Sequence, residues 1–170
     1  RVDYRALVDP NSVRALAVNI ASVHLDNELA VLLRAAALFE YVKKNVTYVP
    51  DPIHMSGDEM IVSDYVAPPV ETLDAKGGDC DDQAVLIASM FSAVGIENRM
   101  RLISNTHKEW HLLTEFRVDL SLMDEFIAAL DEFYGGGERD TGPTSLGGFL
   151  ATQTGPKVRS TLVNVTQSEQ

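Results

Sequence analysis

The chain has one cysteine, Cys80, held in Gly77-Gly78-Asp79-Cys80-Asp81-Asp82-Gln83 where a loop turns into a helix. Ala84, Val85, Leu86, Ile87, Met90, Phe91 and Val94 follow at helical spacing, and Gly95 is a natural terminator. Asp79 suits the N-cap, which places Cys80 in the first turn. There, free backbone N–H groups and the helix dipole stabilise a thiolate. A structural thiol would sit more naturally in the middle of the apolar face. The position alone leaves nucleophile and inert thiol both open.

Downstream, Glu97 to Ser104 alternates Arg99 and Arg101 against Met100 and Leu102, the pattern of a strand. A polar turn, Asn105 to Glu109, leads into His111-Leu-Leu-Thr-Glu-Phe-Arg-Val118, a second strand opening on a histidine. Helix, strand, turn, strand can return the start of the second strand to the helix N-terminus. A Cys–His pair then becomes possible, with imidazole as general base and helix-start amides as oxyanion donors. Asp81 and Asp82 read as first-turn charges that complement the dipole. They would also raise the thiol pKa, which makes an imidazolium partner more necessary.

Gly78-Asp79-Cys80-Asp81-Asp82, then Gly95-Ile96-Glu97-Asn98-Arg99, then His111-Leu-Leu-Thr-Glu-Phe116 together resemble the core of the transglutaminase-like superfamily. Phe39 to Asp51 is similar to the helix and short extended segment preceding that core, and Pro68 to Leu73 resembles the approach to the cysteine. The resemblance covers roughly residues 28 to 118. It implies a papain-like Cys-His-Asp triad, with Cys80 as nucleophile and His111 as base.

The family's aspartate usually stands on the next strand, shortly after a tryptophan and before Pro-Thr. Here Leu122, Phe126, Ile127, Ala129, Leu130 and Phe133 point to an inserted helix over about 120–133. Asp119 lies eight residues beyond His111, about 26 Å along an extended strand, too far for direct contact. Asp140, in Asp140-Thr141-Gly142-Pro143, is similar to the family's ending and is the preferred third member, although no tryptophan precedes it. Asn164, in the strand-like Ser160 to Thr166, is the alternative, since an amide can also orient imidazole.

The elements that must position these residues begin at Asp9-Pro10, an N-cap with proline at the first helical position. That helix is expected to run to about His24. Asp26 opens a second helix whose Leu29, Leu32, Leu33, Ala36, Phe39 and Val42 form a buried stripe, ending at Lys43 and Lys44. Asp51 to Pro69 reads as an irregular loop with one short strand at Glu59 to Val62. This loop and the inserted helix are expected to flank the cleft. Residues 135–170 read as a loose C-terminal segment.

With 170 residues and 45% hydrophobic content, a single domain with a sizeable core is expected over 1–170. The net charge of −11 argues against nucleic acid and anionic membrane surfaces as partners. No apolar run is long enough to span a bilayer. One cysteine excludes an internal disulfide. The abrupt start at Arg1-Val2-Asp3 reads as a piece of a longer chain, and an extracytoplasmic or cell-envelope setting is the favoured expectation. The Asn-X-Thr triplets at Asn45 and Asn164 carry little weight for secretion.

The remaining polar residues have simpler readings. His107 is a solvated turn residue, His24 a helix-end charge, and His54 has no assigned role. Asp58, Glu59 and Asp64 lack the alternation and glycine of a calcium loop. A metal site from Cys80, His107 and His111 is disfavoured because His-X-X-X-His suits a helix face and this segment reads as turn and strand.

The expected architecture is α+β and transglutaminase-core-like, with N-terminal helices and a central cysteine-bearing helix on a small antiparallel sheet. The expected activity is cysteine-dependent acyl transfer on a protein or peptide substrate, without cofactor or metal. A catalytically degenerate binding or structural module is the alternative.

Overall fold

A computed structural model describes residues 2–22, 28–56, 59–62, 65–104, 106, 110–118, 120–133 and 161–164. In chain order the elements are α1 (Tyr4–Leu7), α2 (Pro10–Ile20), α3 (Glu28–Asn45), β1 (Thr47–Tyr48), β2 (Ile53–Ser56), β3 (Glu59–Val62) and α4 (Pro69–Ala75). They continue with β4 (Gly77–Gly78), α5 (Cys80–Ala93), β5 (Asn98–Ser104), β6 (Trp110–Val118), a 3-10 turn (Leu120–Leu122), α6 (Met123–Phe133) and β7 (Thr161–Asn164). No described helix is long and apolar enough to cross a membrane.

The cysteine helix is the centre of the molecule. Asp81 to Phe91 and Ala93 are all buried, so α5 is enclosed on every side rather than amphipathic. It packs against α2, α3 and α4 on the helical side and against β5 and β6 on the other. Val13 and Ala17 of α2, Leu32, Leu38, Phe39 and Val42 of α3, and Ile87, Met90 and Phe91 of α5 form one apolar core. α2 begins as expected: the Asp9 carboxylate accepts from the Asn11 and Ser12 amides, with Pro10 at the first helical position. It ends at Ile20, short of His24, which lies outside the described residues. α5 ends at Ala93 with Val94 as its C-cap, and Gly95 follows with φ +76°, a left-handed conformation that glycine adopts without strain.

The sheet order is β5-β6-β7, antiparallel throughout. Phe116 of β6 meets Phe91 of α5 edge to face, with ring centroids 5.4 Å apart and planes at 74°. Thr114 Oγ1 donates to the Ala84 carbonyl at 2.7 Å. These two contacts seat β6 on the cysteine helix.

Two sequence expectations change. The segment between Asp51 and Pro69 is not an irregular loop with one strand: β2 and β3 pair as an antiparallel hairpin, with Ile53 opposite Val62 and Ser56 opposite Glu59. Ile53-His54-Met55-Ser56 alternates apolar and polar residues, but four residues between Pro52 and Gly57 are too short a run to announce a strand without its partner. The inserted helix forms over 123–133, but it packs on α3 and buries Met123 and Phe126 in the main core. It is therefore a core element, and among the described residues it does not border the cysteine cleft.

Candidate active site

The loop before Cys80 is held from several sides. Thr47 and Tyr48 of β1 pair in parallel with Gly77 and Gly78. The Gly78 carbonyl accepts from the Val49 amide at 3.1 Å and from Gln83 Nε2 at 3.0 Å. Asp79 caps α5 through a reciprocal box: its carboxylate accepts the Asp81 and Asp82 amides, and the Asp82 carboxylate accepts the Asp79 amide at 3.2 Å. The other Asp82 oxygen accepts the Ala67 amide at 2.6 Å, which ties the approach to α4 onto the start of α5. A Cβ at Gly78 would stand 2.6 Å from Asp82 Cβ and 2.7 Å from its Oδ2, so only glycine fits against this buried carboxylate. Burial pushes the Asp82 pKa above its ordinary 3.8; the Asp79 charge adds to the shift, and the two backbone amides oppose it.

Cys80 is thus the first helical residue of a rigidly capped helix, and it is half-buried. It opens into a cleft of about 590 Å³. Residues 2–5 form one wall. Met100, Leu102, Trp110 and Leu112 of β5 and β6 form the other, and Asp79 and Asp81 flank the cysteine. Trp110 is 64% exposed, so it does not pack in the core. The N-terminal wall escaped sequence reasoning. It is brought here by the Asp9 amide, which donates to Ser89 Oγ on α5 at 3.0 Å, a contact across 80 residues of sequence.

The start of β6 does return to the N-terminus of α5, because Trp110 and Leu112 line the same cleft as Cys80. His111 stands between them, opposite Ile103, half-buried and with its Nε2 buried. Strand alternation gives the α5-facing positions to Leu112, Thr114 and Phe116. It assigns His111 to the other face with Leu113 and Glu115. Glu115 is a further residue that sequence reasoning passed over. Its buried carboxylate accepts from Arg99 Nε at 2.8 Å and Arg101 Nε at 2.9 Å, so the two arginines noted as strand markers clamp β5 to β6.

Asn164 pairs with Glu115 across β6 and β7. Glu115 lies four positions beyond His111 on β6, about 13 Å at ordinary rise. Asp140, Asp119 and His107 lie outside the described residues.

Among the described residues, Asp79, Asp81 and Asp82 are the group whose geometry suits a metal ion, with carboxylate oxygens within 4.8 Å of one another. Oxygen donors of this kind suit calcium or magnesium. The hydrogen bonds they make identify Asp79 and Asp82 first as the cap of α5.

A search of curated proteins by sequence returned no match. Among solved structures, a candidate cysteine protease from Cytophaga hutchinsonii aligns with a TM-score of 0.45 and 18% identity, covering 68% of this chain and 38% of that one. Calcium-bound LapG from Legionella pneumophila aligns with a TM-score of 0.34 and 22% identity, covering 64% of this chain and 66% of that one. The chain therefore spans under two thirds of each. The family model for the transglutaminase-like superfamily matches residues 15–125, from α2 through the cysteine helix and both long strands into α6. With that match over most of its length, the chain belongs to the transglutaminase-like superfamily.

Proposed function

We propose that this chain is a cysteine-dependent acyl-transfer enzyme acting on peptide or amide bonds, and that it works as a hydrolase. The observation that carries the reading is the shared cleft: Cys80, at the first position of a capped helix, faces the end of β6 that bears His111. The Cys80 thiolate attacks the carbonyl carbon, and the carbonyl electron pair moves to oxygen. The Asp81, Asp82 and Gln83 amides are engaged by Asp79, so what the start of α5 offers the developing oxyanion is its dipole. Collapse of the intermediate expels the amine, which takes a proton from the His111 imidazolium and leaves a thioester. Water, deprotonated by His111, then releases the acid and the thiol; an amine acceptor in its place would give a cross-link. Asp140 is the proposed orienting carboxylate.

The reading requires the His111 imidazole, at the start of β6, to reach Cys80. Strand alternation, which assigns His111 to the face of Glu115, favours the second reading, a degenerate binding module. Alkylation of Cys80 by iodoacetamide against pH separates the two, measured in the parent and in His111→Ala. An activated pair reacts well below the ordinary thiol pKa of about 8.5 and loses that reactivity without His111. A profile that follows an ordinary thiol in both proteins leaves only the binding module.

A further inference from the structure

The cleft over Cys80 has two chemically different sides. On the sheet side, Leu102 is 41% exposed and Trp110 64% exposed, and they stand beside Met100 and the buried Leu112. Large apolar side chains left open on a cleft wall next to a nucleophile are the surface that a substrate side chain covers. Their strand offers more than side chains. β5 has β6 on one side and no other strand among the described residues, so its outer edge can pair with an extended backbone. On the helix side, Asp3, Asp79 and Asp81 bring three carboxylates against the single guanidinium of Arg5. Arg5 makes no ion pair among the described residues, and the Asp3 carboxylate accepts only the Arg5 backbone amide. The balance in the cleft is therefore negative, in line with the −11 of the whole chain. The wall that carries Asp3 lies outside residues 15–125, the span that matches the superfamily model.

We infer that the cleft takes an extended peptide that seats an apolar side chain on Leu102 and Trp110 and presents a cationic side chain to the exposed Asp3, within the field of the buried Asp81. The inference rests on the cysteine reading above and specifies its substrate class: unfolded basic segments of protein rather than acidic ones.

Peptidyl acyloxymethyl ketones ending in Leu-Lys, Leu-Glu or Gly-Lys test it. Each inactivation rate is divided by the iodoacetamide rate of the same protein, so that the general reactivity of Cys80 drops out. At low ionic strength Leu-Lys is expected to exceed Leu-Glu by about fivefold and Gly-Lys by about tenfold. Trp110→Ala should collapse the Leu-to-Gly ratio. The double variant Asp3→Asn with Asp81→Asn should narrow the Lys-to-Glu ratio while asparagine still caps α1. Added salt should narrow the same ratio. Ratios near one in the parent overturn the substrate class, while a fast, His111-dependent iodoacetamide reaction in the same samples leaves the cysteine reading intact. Slow alkylation with an ordinary thiol profile overturns the cysteine reading and this one with it.

Discussion

Asp82 shows how much one residue beside Cys80 carries. Its two oxygens hold the amides of Asp79 and Ala67, and its position excludes any side chain at Gly78. Because its folded pKa lies above the ordinary 3.8, its favourable contribution to stability is fully present below that value and declines as pH rises through the folded value. Urea unfolding of the parent and of Asp82→Asn from about pH 3 to 7 measures this. The parent's advantage should be largest at the acid end and shrink toward neutrality; a constant difference would contradict the assignment. The cap itself was legible in Asp79-Cys80-Asp81-Asp82, since N-cap and third helical position are fixed by local spacing. The role of Asp82 beyond a first-turn charge was not, because Ala67 approaches from an irregular segment 15 residues upstream.

Among the elements, the junction of α5 and β6 decides whether a site exists, since it brings the histidine strand to the cysteine helix. Thr114 Oγ1 to the Ala84 carbonyl is the polar pin in that junction, beside the Phe91–Phe116 contact. Thr114→Val keeps the shape and removes the hydrogen bond. It should cost about 1 kcal/mol, read as a lower urea midpoint with unchanged slope. Helices α2, α3, α5 and α6 and strands β5 and β6 were readable from periodicity, and so was the stop at Gly95. The β2–β3 hairpin was not, and neither was α4, seven residues that only pack properly once α5 is in place. The expected cleft borders also moved: α6 serves the core, and the N-terminal residues 2–5 take the place beside Cys80.

For the molecule as a whole, a charge of −11 on 170 residues sets the electrostatics. Like-charge repulsion opposes the compact state and is screened within about 10 Å at 0.1 M salt. The thermal midpoint should therefore rise by about 2–5 °C between low salt and about 0.5 M sodium chloride. A midpoint that falls with salt would mean that ion pairs such as those of Arg99 and Arg101 with Glu115 outweigh the net repulsion. Among the described residues, α2, α3, α4 and the sheet pack around α5, and α6 packs on α3 and shares the same apolar core.

By itself the sequence determined what is set by neighbours along the chain: the capped helix that starts at Cys80, the strand that starts at His111, the acidic balance and the superfamily. The caps and periodicities behind these act over one or two turns, so they survive in a linear reading. Tertiary structure alone decided what surrounds the cysteine. The wall of residues 2–5, the clamp of Glu115 by two arginines and the register that sets Asn164 against Glu115 all join positions far apart in sequence. Such contacts form only when burial of the common core draws those segments together, and no local pattern records them.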